Sequence, residues 1–140
     1  MSVFVVDASV GAKWWFPEEH HDAAVRLRNP AHELHVPDLF DVEVCSVVCK
    51  RVRRKEITPA EGKRVFDQLE RVPLRRHTDR KLLQLSFEIA TATTRALYDC
   101  HYLALALTLE ARMVTADDRF YQALRHSPLS EHLMWVEEIP

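Results

Sequence analysis

The chain has 140 residues, 47% of them hydrophobic, which suits one domain with a real core and leaves too little for a second. Lys and Arg total 19 against 21 for Asp and Glu; the formal charge of −2 excludes a nucleic-acid binder working by bulk positive charge, so any such role must rest on local placement. With only two glycines, Gly11 and Gly62, a glycine-rich phosphate loop is excluded, and no apolar run approaches the roughly 20 residues that span a bilayer.

The cysteines Cys45, Cys49 and Cys100 are odd in number, and no apolar leader precedes Asp7. Neither a disulfide framework nor secretion is indicated, and a cytoplasmic location is expected. Ser2 to Val6 is a short β-rich run ending at Asp7, as a buried parallel strand would. A helix is predicted from Ala8 to Phe16, stopped by Pro17, and a second from Glu19 to Arg28, closed by Asn29-Pro30. Leu34 to Val36 reads as a strand ending at Pro37. From Leu39 to about Lys55, Phe40, Val44, Val47, Val48 and Val52 recur at helical spacing and predict a long helix.

Thr58, Pro59 and Glu61 form a capping box with proline at the first helical position, starting a helix to about Glu70. Val72 to Arg76 suits a short edge strand. Helices follow from Thr78-Asp79 through Leu82, Leu83, Leu85 and Ile89, and from Tyr98-Asp99 to Glu110. Met113 to Thr115 is a strand entering Ala116-Asp117, a helix carries Phe120 and Leu124, and Met134 to Val136 is a last strand. Strands separated by helices call for right-handed crossovers, hence a small parallel sheet with helices on both faces: a three-layer α/β/α domain over residues 1–140.

In such a sheet, ligands bind beyond the carboxyl ends of the strands, where strand order reverses. Asp7 and Asp117 stand at that end, Asp99 lies in the first turn of its helix, and Glu43 sits one turn before Val47 on the long helix. Four carboxylates brought together in a partly desolvated cleft repel, so their convergence implies a bound cation; oxygen ligands alone favour Mg²⁺ or Mn²⁺ over zinc. Singly, Asp7, Asp99 and Asp117 also read as helix N-caps and Glu43 as an ordinary helix-flank glutamate. Ser9 and Thr115, each two residues from an aspartate, are placed to line the same pocket.

Four segments carry a resemblance: Val5-Val6-Asp7-Ala8-Ser9, Pro37 to Val44, Tyr98 to Ala106, and Val114 to Phe120. Together, in this order and over nearly the whole chain, they resemble the signature segments of VapC toxins in the PIN-domain family; Thr93 to Leu97 matches less well. The resemblance implies a PIN-like fold, Asp7, Glu43, Asp99 and Asp117 as catalytic residues and as ligands for Mg²⁺ or Mn²⁺, and hydrolysis of RNA to 5′-phosphate and 3′-hydroxyl ends. It also implies a cognate VapB-like antitoxin and a homodimer, with no membrane partner. Asp118 matches a variable position and stays outside the inner site.

Other readings stay open at this point. A phosphatase using a phosphoaspartate would repeat an Asp two residues after the first, where this chain has Ser9, and a receiver domain would carry an acidic pair before its first helix. A PIN nuclease of RNA maturation or of DNA, or a PIN-like module without catalysis, are further alternatives. Cys45 and Cys49 share a helix face but lack the further ligands of a zinc site, so they read as buried or packing residues. His20-His21 reads as a solvated helix start. Lys50, Arg51, Arg53, Arg54 and Lys55 end the long helix, either complementing its dipole or contacting RNA phosphates through Arg51 and Arg54, with Arg75, Arg76 and Arg80 alongside. Trp14, Trp15 and Phe16 are consecutive on a short helix, so at least one is expected to be exposed as a partner-binding surface, the anchor for an antitoxin helix.

Overall fold

A computed structural model describes residues 2–140. Its five strands are β1 (Ser2–Val6), β2 (His32–Pro37), β3 (Leu74–His77), β4 (Arg112–Thr115) and β5 (Leu133–Trp135). The helices are α1 (Ala8–Gly11), α2 (His21–Arg26), α3 (Leu39–Arg53), α4 (Pro59–Leu69), α5 (Asp79–Thr93), α6 (Leu97–Leu109) and α7 (Asp118–Leu124). All neighbouring strands pair in parallel, in the order β3-β2-β1-β4-β5. The expected three-layer α/β/α architecture is therefore present, with β3 at an edge.

The chain steps outward from β1 through β2 to β3, then returns across the sheet to β4 and continues to β5. Right-handed crossovers reverse face when the stepping direction reverses, so helices are expected on both faces of the sheet. The reversal lies between β1 and β4, whose registered pairs include Val6 with Val114. Val5, Val6, Met113 and Val114 are fully buried there. On α6, every residue from Cys100 to Ala106 is buried. It packs on β1, β2 and β4 and beneath α5, which explains its apolarity on all sides.

The capping box forms as the sequence implies: the Thr58 hydroxyl accepts from the Glu61 N–H at 3.1 Å and the Glu61 carboxylate from the Thr58 N–H at 3.0 Å. The first two helices differ from expectation. Residues 8–11 are α-helical and residues 12–14 tighten into a 3₁₀ turn, while α2 begins only after His20, whose φ of 66° breaks any helix entering from Glu19. Tightening the turn splays the three aromatics, so none is exposed, contrary to the sequence expectation. Trp14 (7% exposed) donates its indole N–H to the Ala24 carbonyl at 2.9 Å. Phe16 (5% exposed) joins Val48 and Val65 in a second small core, and half-buried Trp15 packs between the two clusters.

Gly11 is where α1 presses on α3. A Cβ there would stand 2.4 Å from Cζ of the fully buried Phe40 ring, well inside contact distance. Gly11→Ala is therefore expected to destabilise the protein by roughly 1–3 kcal/mol through overpacking, read as a lower melting temperature; an unchanged melt would show that the Phe40 ring yields freely.

Candidate active site

At the carboxyl end of the sheet, at the strand reversal, a cleft of about 600 Å³ is lined by Asp7, Glu43, Asp99 and Asp117 together. Each arrives on a different element. Asp7 follows β1; its carboxylate caps no helix but accepts at Oδ2 from the Ser9 hydroxyl (2.5 Å) and the Thr115 hydroxyl (3.0 Å). Both hydroxyls in turn accept from backbone, Ser9 from the Ala116 N–H and Thr115 from the Asp117 N–H. Ser9 and Thr115 thereby stitch the end of β1 to the end of β4 and hold Asp7 in one orientation, a more definite role than the pocket-lining one expected.

Asp99 is the third residue of α6, too far in to cap it, whereas Asp117 does cap α7, accepting from the Phe120 N–H at 3.1 Å. The capping reading thus holds for one aspartate of three. Glu43 stands on the cleft-facing side of α3 and accepts at Oε1 from the buried Tyr102 hydroxyl at 2.6 Å. Tyr102 is a site residue that sequence reasoning missed. Burial, with Asp7 and Glu43 nearby, pushes its phenol above the ordinary range, so it stays a proton donor.

A further network sets the spacing of α3 and α6. The ring of buried His101, two residues after Asp99, lies 2.7 Å from the Ser86 hydroxyl and 2.8 Å from Asp79 Oδ1. Asp79 Oδ1 also accepts from the Leu39 N–H that begins α3. The starts of α3 and α5 and the first turns of α6 are thus joined through one imidazole.

The electrostatics are unbalanced. Burial pushes the Asp7 carboxyl up to about 7, opposed by its two hydroxyl donors and reinforced by Asp99 and Glu43. Burial likewise raises Asp99 to about 6, with Asp117 and Glu43 adding to it. None of the four takes part in an ion pair among the described residues. Such an oxygen-only donor set fits a divalent cation. Among the described residues no three His, Cys, Asp or Glu side chains form a ready-made cage.

Two lysines, Lys13 and Lys50, also line the cleft. Lys13 pairs with Glu18 at 3.3 Å, while Lys50 is exposed. The basic helix end is less available than its sequence suggests. Arg51 pairs with Glu18 and Glu56 and lies 4.1 Å over the Phe16 ring, so it serves as a structural tie; Arg54 caps the end of α3 and is exposed. Arg76 is held by both oxygens of Asp41 and Arg75 by Glu33. His20 contacts Glu137 at 2.7 Å and Trp135, and His21 the Lys13 carbonyl, so both are structural. Cys45 is half-buried and Cys100 buried, as packing cysteines should be, but Cys49 is exposed in an apolar groove between α3 and α4.

The PIN domain matches residues 4–124. Ribonuclease VapC3 of Pyrobaculum aerophilum is 32% identical over 115 residues, which cover 81% of this chain and 88% of that protein. In fold, the chain is similar to the crystal structure of PAE2754 from Pyrobaculum aerophilum, with a TM-score of 0.71 at 19% identity over 97% of this chain and 85% of that one. It is also similar to VapBC2 from Rickettsia felis, crystallised with a DNA fragment from their promoter, with a TM-score of 0.66 at 13% identity over 95% and 98% of the two chains.

The raised carboxyls make a stability prediction for the metal-free protein. Because Asp7 titrates near 7 when folded against 3.8 ordinarily, the folded state binds more protons than the unfolded chain between these values, so stability falls as pH rises through that window. Asp7→Asn should therefore be more stable than the parent in EDTA at about pH 8, by on the order of a few kcal/mol, with the gap shrinking as pH falls below 7 and closing only below the ordinary value of 3.8. A parent stability flat with pH would show that the carboxylates do not strain the fold.

Proposed function

The chain belongs to the PIN-domain family, and on that footing we propose that it is an endoribonuclease dependent on Mg²⁺ or Mn²⁺, the toxin half of a toxin–antitoxin pair. The observation that carries this reading is the convergence of Asp7, Glu43, Asp99 and Asp117 in one cleft. Its relative in Pyrobaculum aerophilum bears the name ribonuclease, which supports RNA as the substrate.

In this reading Asp7, Glu43, Asp99 and Asp117 would hold the ion, which when bound would supply Lewis-acid charge and lower the pKa of water. Asp7 is fixed by Ser9 and Thr115 and so presents its remaining oxygen in one direction. Tyr102 orients Glu43 by donating its hydroxyl to Oε1. Lys50 contributes positive charge at one end of α3, where a neighbouring phosphate would sit. No Ser, His or Cys nucleophile is needed, and the products carry a 5′-phosphate and a 3′-hydroxyl.

A free ribonuclease in the cytoplasm endangers its host, so the partner proposed is a VapB-like antitoxin whose tail lays a basic side chain over the acidic cleft. Trp14 and Phe16 are buried and do not serve as its anchor. A homodimer belongs to the same proposal, supported by Leu83 (43% exposed) and Phe87 (62% exposed), one turn apart on α5. Among the described residues no helix is long and apolar enough to cross a membrane.

Two measurements test the catalytic reading. Asp99→Asn should fold normally yet lose EDTA-sensitive cleavage of total RNA by on the order of 100-fold or more; parental turnover by the folded variant would overturn the assignment. Lys50→Glu should weaken RNA binding and lower its salt slope by about one, with metal affinity unchanged. Unchanged RNA affinity at low salt would remove Lys50 from the substrate path.

A further inference from the structure

One face of α3 forms a wall of the cleft, and its residues change character along the helix: Leu39 and Val42, then Glu43, Ser46 and Val47, then Lys50. This wall runs roughly 16 Å. Across the cleft mouth, in the first turn of α6, stands Tyr98, next in sequence to Asp99. Tyr98 is 62% exposed and Val42 67% exposed, although both line the cleft. Neither side chain contributes to the core, and Tyr98 makes none of the side-chain hydrogen bonds or ring contacts that tie down Tyr102 and Tyr121. An aromatic ring left in water beside a carboxylate cluster, with an exposed lysine at the far end of the same wall, has the composition of a single-strand nucleic-acid path: charge for the backbone and a flat π-face for a base.

We propose that Tyr98, with Val42 on the facing wall of the cleft, is a stacking platform for the unpaired base of the nucleotide flanking the scissile phosphate, which deepens the ribonuclease reading and rests on it. Tyr98 and Asp99 line the same cleft, which sets this register: a phosphate drawn to a cation at the carboxylates would place the sugar and base attached to it within reach of the Tyr98 ring. A base-paired strand cannot use the platform, because its base faces are already covered by stacking. The cleft therefore selects unpaired RNA at the cut, and the aromatic residue contributes to affinity rather than to the chemical step.

The test uses the full chain, a short 5′-fluorescein oligoribonucleotide without secondary structure, and Ca²⁺ in place of Mg²⁺ to allow binding without turnover. Tyr98→Ala should weaken binding by about 5- to 100-fold, and Tyr98→Phe should stay within about twofold, since the ring and not the hydroxyl stacks. Removing the base on either side of the cleavage site should reduce the parental affinity to that of Tyr98→Ala at one of the two positions, and kcat in Mg²⁺ should change far less than KM. Equal affinity of Tyr98→Ala and the parent overturns the platform while leaving the nuclease reading intact if both cleave. A parent that neither binds nor cleaves RNA overturns both. Tyr98→Ala that keeps RNA affinity but loses binding to a co-expressed antitoxin assigns the ring to a protein contact and overturns the platform.

Discussion

Repulsion among four carboxylates in one partly buried cleft is the constraint on which the remainder of this structure depends. Asp7 is 3% exposed and surrounded by Asp99 and Glu43, and its carboxyl is raised to about 7 in consequence. Left to itself, such a cluster would spread apart. Here each member sits on a different element and Asp7, Glu43 and Asp117 are further held by hydrogen bonds, so separation would require moving a strand or a helix.

The ties are mostly neutral hydrogen bonds from hydroxyls and backbone rather than ion pairs. Ser9 and Thr115 hold Asp7 while Ser9 accepts from Ala116 beyond β4 and Thr115 from Asp117 in its own loop, and Tyr102 holds Glu43 from within the buried helix α6. Neutral donors stabilise the anionic form without cancelling its charge. The cleft consequently keeps its attraction for a cation, which a lysine or arginine inside the cluster would have removed. His101 completes the frame: it lies 2.8 Å from Asp79 and 2.7 Å from Ser86 on α5, and Asp79 in turn accepts from the Leu39 N–H that begins α3.

Much of this was legible in the residues. The apolar runs ending at Asp7 and before Asp117 carry the strand signal, and the Thr58 capping box marks its helix, because these features are local and depend on adjacent residues. The four carboxylates could be placed at one sheet edge because parallel topology alone sends strand ends there. What escaped is long-range or geometric. Tyr102 bonds Glu43 across 59 positions, and nothing in its own segment distinguishes it from a core aromatic. The burial of Trp14 and Phe16 escaped because the chain leaves α-helical periodicity at Ala12, so spacing arguments built on 3.6 residues per turn assign the faces wrongly. The fixation of Arg51 by Glu18, Glu56 and Phe16 was hidden for the same reason: its partners come from other segments.

The bond from Thr115 to Asp7 spans 108 positions, and β1 can enter the middle of the sheet only between β2 and β4. During synthesis the first strand therefore waits, without its second neighbour, until most of the chain has left the ribosome. The cleft lacks Asp99 and Asp117 through that interval, so a nascent or truncated chain carries half of a site and none of its rigidity. The four-carboxylate cleft is therefore assembled only once β4 is in place, late in synthesis, and that timing is written into the strand order itself.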